Sequence, residues 1–444
     1  MPATNEWPSH VCLFFLYQNM SARTSASGLL GNVINLGCGE LMGRACSVAT
    51  VVWLGHRYGI TVVGVYALAQ SLTQYLQPLI DFGLRHVGAR LVALYPHAAC
   101  AIVDQVQSRR IFRATLTLPL LLAYAACAKL PLEMKVFLFV FSAAGALYAV
   151  SLDWVAWGQG HLRIVGIAKS AVPVSILLFL AAGRPSAHRV VWWLVAGNVF
   201  GWLLQAGISR RWNRLSSELI PSQQMEEIRA SLAWRRTRVM GLAWLCNLAF
   251  NNIDVLMLGV MSSPEQVGLY GAAYRILNQV LATYYVLTQA LYPHFARHDT
   301  KQRARMLRPG ILLPLLAGGT VLAAFIALSR RPVLTVMFGH PFLAAAPLLA
   351  LLAWSIPLDF LTSYLSNALI AWGLERRILL CTAIAAASDI LLNLAFIPRF
   401  GARGAAANTL LSYGIFLAAL GLVGRTATRH TTPSPSEIDA VACP

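Results

Sequence analysis

The chain is written in runs of about twenty apolar residues separated by short polar stretches, and about twenty residues is the length that carries a helix across a bilayer. The composition follows the runs. Hydrophobic residues make up 57% and charged residues 12%, against about 25% charged in a soluble domain. The class is therefore all-α and polytopic, with no single soluble core. A net charge of +18 does not point to nucleic acid, because the basic residues sit in the loops between the runs, where topology requires them.

Twelve helices are read over 32–54, 62–83, 111–129, 136–157, 164–183, 190–208, 239–260, 267–293, 310–328, 344–372, 377–397 and 403–424. The eighth and tenth exceed the length of one span, so a tilt or kink is expected. Pro78, Pro173 and Pro357 are natural kink points. Lys and Arg divide 24 to 9 between the two sides, with Arg44 and Arg275 inside spans. The excess lies on the side of both termini, which are therefore expected in the cytoplasm. No soluble domain is inserted, and the longest loop on the outer face is read over 329–343.

VGVYALA at Val63–Ala69 returns as VGLYGAA at Val267–Ala273. A motif repeated at nearly half the chain length marks two related halves. Six spans in each half give both the same orientation, so the expected axis lies along the membrane normal with a substrate path between the halves. The organisation expected is an N-terminal extension (1–28), a six-helix bundle (29–210), a cytoplasmic linker (211–238), a second six-helix bundle (239–425) and a disordered tail (426–444). The linker is expected to lay an amphipathic piece on the inner leaflet. Val11–Tyr17 is too short to span and lacks a basic stretch before it, so a cleaved signal peptide is not expected, and Met20 is an alternative start.

Charged groups inside spans cost about 2.5–3.5 kcal/mol each on insertion scales and need a reason. They are Glu40, Arg44, Asp153, Asp254, Arg275, Asp359 and Asp389, with Lys169 about a turn inside the fifth span. Glu40 and Arg44 share a helix face at i,i+4. They form either a self-neutralising pair or part of a lumen lining, with Gly37, Gly39 and Gly43 favouring close helix approach. Three polar stripes follow: Gln70, Gln74, Gln77 and Asp81; Asn247, Asn251 and Asp254; and Arg275, Asn278, Tyr285, Gln289 and Tyr292. One stripe would be explained by interhelical hydrogen bonds, but three around the repeated motif point to a shared polar cavity. Asp153 and Asp359 are explained as well by interfacial anchoring. The cysteines lack metal or disulfide spacing, and no metal or cofactor is expected. There is no nucleotide-binding loop, and the outer loops hold only Glu133 and Glu265 as acids, which disfavours a membrane polymerase.

The segments GVYALAQSLTQYLQPLIDFGL (64–84), NNIDVLMLG with VGLYGAAYRI (251–276), NALIAWGLERR (367–377) and LNLAFIPRFGARGAAANTLLSYG (392–414) resemble Wzx-like oligosaccharide flippases of the multidrug/oligosaccharidyl-lipid/polysaccharide exporter superfamily. The resemblance covers residues 29–425. It implies two six-helix bundles, alternating access, and flipping of undecaprenyl-pyrophosphate-linked repeat units across the inner membrane for surface polysaccharide synthesis, beside a polymerase and other assembly proteins. Asp254 and Arg275 match charged positions of its motifs. From the residues themselves, a pyrophosphate crossing hydrocarbon needs fixed cations, and Arg44, Arg275 and Lys169 are available. Gln74, Asn278 and Tyr285 complete the expected substrate-binding set. Glu40 and Asp254 are the titratable groups for ion coupling. The rivals are a drug or small-molecule antiporter of the same superfamily, a lipid II flippase, and a membrane polymerase.

Overall fold

The computed structural model describes residues 26–429 apart from 188, 214–220, 291–307 and 373. Residues 1–25 of the expected N-terminal extension and 430–444 of the expected tail lie outside the described residues. The described chain is built from helices: α1 (Ala26–Asp81), α2 (Leu84–Leu94), α3 (Ala99–Cys127), α4 (Leu132–Ala144), α5 (Asp153–Gly158), α6 (Leu162–Gly183), α7 (Val190–Trp212), α8 (Ser222–Ser231), α9 (Trp234–Met261), α10 (Pro264–Ala290), α11 (Pro309–Phe338), α12 (Ala346–Ala353), α13 (Ser355–Ala371), α14 (Glu375–Phe400) and α15 (Ala402–Arg429). Among the described residues nine helices are long and apolar enough to cross a membrane, and ten when α12 and α13 are taken as one bent span. Two features bring the count to the expected twelve. α1 breaks at Gly59, where φ is 82°, a left-handed backbone that glycine adopts without a Cβ penalty, so α1 crosses twice. α10 is 27 residues long, and its polar stripe lowers its hydropathy without shortening it.

Prolines place the other irregularities. α12 and α13 meet at a 41° bend at Trp354. Pro357 lies three residues beyond, where its ring and missing N–H deny the Ala353 carbonyl a helical partner. The expected fourth helix, 136–157, instead ends its α-turns at Ala144, tightens to a 3-10 turn over Gly145–Val150 and restarts as α5.

Three loop expectations are corrected. The stretch 84–113 is mostly helical, in α2 and an α3 that begins at Ala99. The outer loop expected over 329–343 is largely the end of α11, which runs to Phe338. The linker contributes α8, whose apolar residue Ile228, with Leu232 just beyond it, is buried against Leu84, Val92, Ile102, Trp154 and neighbours. The apolar residues Ile228 and Leu232 are thus taken up by the surface of the first bundle.

Apolar packing divides by depth. One large core runs through both halves, joining Val63, Leu68 and Phe141 to Val267, Tyr270, Phe338 and Leu349. On the basic side, where α8 lies, the halves keep separate cores. One gathers around Ile102, Trp154 and Ile228. The other gathers around Leu365, Ala385 and Leu420. The halves thus share one core on the side of the Gly59 turn and keep separate cores on the basic side, where the end of α1 still meets the start of α9 at Phe82, Gly83, Thr237 and Gly241.

Candidate functional site between and within the bundles

The two copies of the heptapeptide face each other at the fused side. A Cβ on Gly64 would lie 2.1 Å from the Pro264 carbonyl oxygen and 2.8 Å from Gly268 N, and one on Gly268 would lie 2.3 Å from the Ile60 oxygen. Only glycine lets two helix backbones approach so closely.

Arg275 lies below this seal. It is eleven residues into α10, about 16 Å along the helix axis, and reaches both arms of α1. Its Nη1 donates to the Ser47 carbonyl at 3.0 Å and its Nη2 to Gln70 Oε1. Gln70 in turn donates to the Tyr66 hydroxyl at 2.8 Å. All these acceptors are neutral, and neither Arg275 nor Arg44 belongs to an ion pair among the described residues. Arg44, Gln74 and Asn278 each stand one turn from Ser47, Gln70 and Arg275 on the same helix face, toward the basic side. Arg44 and Gln74 are exposed and Asn278 half-buried. The backbone of Tyr285 continues this face of α10, and its side chain lies outside what the structure describes.

A further turn toward the basic side, Glu40 is joined to Lys169 of α6 at 2.9 Å rather than to Arg44, with side chains 41% and 38% exposed. Of the two readings of Glu40 and Arg44, the self-neutralising pair is therefore replaced by an interhelical one, and Lys169 is engaged with a carboxylate. Gly39 makes this possible, since a Cβ there would lie 2.5 Å from the Gly166 carbonyl carbon of α6. Gly43 also packs on α6, while Gly37 has open space.

Asp254 turns into the second bundle rather than toward the seam. It is 4% exposed, and Asp389 of α14 beside it is 1% exposed. Asp254 Oδ2 accepts from the Tyr270 hydroxyl and from Thr409 at 3.1 Å. Asn393 donates to Asp254 Oδ1 and to Asp389 Oδ2 at 3.3 Å, while its own Oδ1 is buried without a hydrogen-bond partner. Asn408 donates to Asp389 Oδ1 at 2.9 Å. Two buried carboxylates thus share one oxygen-rich pocket with no ion-paired cation among the described residues. Asp389 was not among the expected coupling residues. The available signal was its i,i+4 spacing to Asn393.

Like Asp254, Asp81 leaves the expected cavity. Asp81 is fully buried in the first bundle and paired with Arg110 at 2.8 Å, with the Tyr148 hydroxyl on its other oxygen. Asp153 is no interfacial anchor. It pairs with Arg85 at 2.7 Å and accepts from Ser151 at 3.1 Å, while Arg110 donates to the Ser151 and Tyr148 carbonyls. Asp153 and Arg85 lie beyond the spans, in α5 and α2. Burial pushes the Asp153 carboxyl up, but Arg85, Arg110 and Ser151 outweigh it and hold it below its ordinary range. Burial pushes Arg85 down, and Asp153, Tyr148 and Asp81 more than reverse it.

Two nine-tenths-length likenesses identify the architecture. The structure is similar to a multidrug resistance MATE family transporter of the MOP superfamily in an inward-facing conformation, with a TM-score of 0.66 at 12% identity over 93% of this chain and 100% of that one. It is also similar to the lipid II flippase MurJ in an inward closed conformation, with a TM-score of 0.64 at 12% identity over 88% and 87%. The fold is that of these multi-pass membrane transporters. In sequence, residues 163–298 match the polysaccharide biosynthesis protein family. The probable low-salt glycan biosynthesis flippase Agl15 of Haloferax volcanii is 20% identical over 86% of this chain and 80% of that protein. The teichuronic acid biosynthesis protein TuaB of Bacillus subtilis is 31% identical over 24% of this chain and 23% of its own length. The resemblance to Wzx-like flippases read from four motifs is thus met again in whole-chain similarity.

Proposed function

We propose that the chain flips undecaprenyl-pyrophosphate-linked oligosaccharide repeat units from the cytoplasmic to the outer leaflet of the inner membrane by alternating access, for surface polysaccharide assembly beside a polymerase. The observation that carries this reading is the Arg275 guanidinium, held at mid-depth between the halves by neutral acceptors alone. A fixed, uncompensated cation there suits a diphosphate, and its planar fork pairs with phosphate oxygens. A cationic drug would meet repulsion at that point, which disfavours the antiporter reading.

Arg44, Gln74, Asn278 and Tyr285 line the same path below Arg275 in this reading. Lys169 joins them when a phosphate competes for it with Glu40, which is left to take up a proton. Mid-span exposure of Arg44 and Gln74 is reasonable facing water and costly facing lipid. Separate cores on the basic side and a shared core opposite support a state open to the side of the termini, which the 24-to-9 bias makes cytoplasmic. Asp254 and Asp389, with Asn393 Oδ1 and Thr409, are the proposed coupling site for a proton or monovalent cation. Two like charges buried together favour whichever ligand neutralises one of them.

The test is flipping in proteoliposomes with an undecaprenyl-pyrophosphate oligosaccharide on one leaflet. Transfer to the other leaflet, lost in Arg275→Gln, is the expected result. Equal transfer by protein-free vesicles, or transport of cationic dyes in its place, refutes the reading.

A further inference from the structure

One short stretch of α10 touches everything that has to move together. Gly268 forms the seal with Gly64 and Ile60. Two residues on, the Tyr270 hydroxyl donates to Asp254 Oδ2 and lies 3.2 Å from the Thr409 hydroxyl. Its ring is fully buried and stacks on Tyr274, centroids 5.5 Å apart and planes 13° from parallel. Tyr274 donates to the Asn251 carbonyl of α9, and the next residue is Arg275. A hydrogen bond to an ionised acceptor is roughly twice as strong as one between neutral groups. The hold of Asp254 on α10 therefore depends on the charge of the carboxylate pair. The groups facing that pair are Tyr270 and Tyr274 on α10, Tyr75 on α1 and, on the side of Asp389, Tyr413 on α15; Asp359 on α13 faces Tyr274 and Tyr413 rather than the pair. None is a cation, so a bound ion or proton has no internal substitute among them.

We propose that Tyr270 is a positioning residue that transmits the occupancy of the Asp254–Asp389 pair to the Gly64–Gly268 seal and the Arg275 clamp. This rests on the reading of that pair as the coupling site. With the pair ionised, the hydroxyl pins α10 to the second bundle and the seal stays closed. With the pair occupied, the acceptor charge is spent, the pin loosens, and α10 can shift against α9 and α15, carrying Gly268 and Arg275 with it relative to α1. The coupling is reciprocal, since whatever opens the seal must also change the affinity of the pair for its ligand.

Spin labels at Arg57→Cys and Arg331→Cys, both exposed on the sealed side, report the separation of the halves in a full chain freed of its eight native cysteines. The labelled protein in lipid nanodiscs is titrated with sodium chloride and, separately, from mildly alkaline to mildly acidic pH. The expected result is a shift of the distance distribution in one arm, which identifies the ligand as sodium or proton. The shift is lost in Tyr270→Phe, which keeps the ring and removes the hydroxyl, and kept in Tyr274→Phe. A Tyr270→Phe protein that shifts like the parent overturns the proposal, as does a parent that responds to neither arm. Should Tyr270→Phe fail to fold, Asp254→Asn, which still accepts from the hydroxyl but cannot ionise, must be unresponsive; a responsive Asp254→Asn also overturns it. The labels read the seal with no glycolipid present, so failed flipping in proteoliposomes leaves this result standing, and the reverse holds too.

Discussion

Gly64 and Gly268 occupy the same place in the two heptapeptides and meet across the seam, where a Cβ on the first would stand 2.8 Å from the backbone nitrogen of the second. Equivalent residues that touch each other are what an axis between two halves produces. The contact supports the proposed repeat, in which Tyr66 and Tyr270 would also superpose.

Substituting valine at Gly64 inserts bulk where backbone is already in the way, at a cost of about 1–3 kcal/mol to the sealed state. The expected outcome is a seal that opens more often. A cysteine at Ser47, beside the clamp, should then react with an impermeant maleimide added from the sealed side in Gly64→Val and not in the parent. Unchanged reactivity would place the seal elsewhere.

Arg275→Gln is expected to abolish transfer of lipid-linked oligosaccharide while leaving membrane insertion intact. Arg275→Lys should keep part of it, because charge survives and the two-pronged fork to Ser47 and Gln70 does not. Initial rates in proteoliposomes decide this. Wild-type rates in Arg275→Gln would make the residue purely structural.

Asp389→Asn leaves Asp254 as the sole carboxylate of its pocket. Transport is then expected to lose its acceleration by an ion gradient while substrate binding is kept. Comparing rates with and without the gradient reads this directly. A gradient response equal to the parent's would remove Asp389 from the coupling site.

The Arg85–Asp153 pair predicts a stability that depends on acid. The folded Asp153 carboxyl is held below its ordinary range, so its contribution is fully present above that range and is lost as pH falls through it toward the folded value. Melting temperature should therefore decline below about pH 4, the ordinary range of an aspartate, with Asp153→Asn less stable at neutral pH and flatter across the acid range. A parallel decline in both proteins would exclude this pair as the source.

Glu40 and Lys169 are each about two-fifths exposed, so the pair is worth at most about 1 kcal/mol. A charge swap, Glu40→Lys with Lys169→Glu, should recover the insertion and thermal stability lost in either single variant. Failure of the swap to recover them would show that each residue acts separately.

What the sequence made legible follows from range. The spans and the repeat are carried by local periodicity and by a motif written twice. Arg275 and Asp254 were singled out because a charge in an apolar run needs a reason wherever it points. Which way each one points is set by helices far away in the chain. Lys169 finds Glu40 across 129 residues, and no spacing rule reaches that far. Asp81 lies on the same sequence stripe as Gln70 and Gln74, yet Arg110 draws it into the first bundle. The helicity of 84–113 was hidden by its arginines, which read as loop charge until Arg85, Arg109, Arg110 and Arg113 are seen holding carboxylates and carbonyls.

The docking of α8 changes what joins the halves. With Ile228 and Leu232 buried on the first bundle, the free connection before α9 shrinks to Ala233, an extended residue at φ −61° and ψ 146°. The next residue, Trp234, lies flat against Phe82 of the first half, 4.7 Å between ring centres. A joint of one residue has no slack. In the proposed alternating-access cycle it would serve as a door hinge rather than a leash, letting the halves swing about this corner but not drift apart, so that angle and helix length would set the width of any opening.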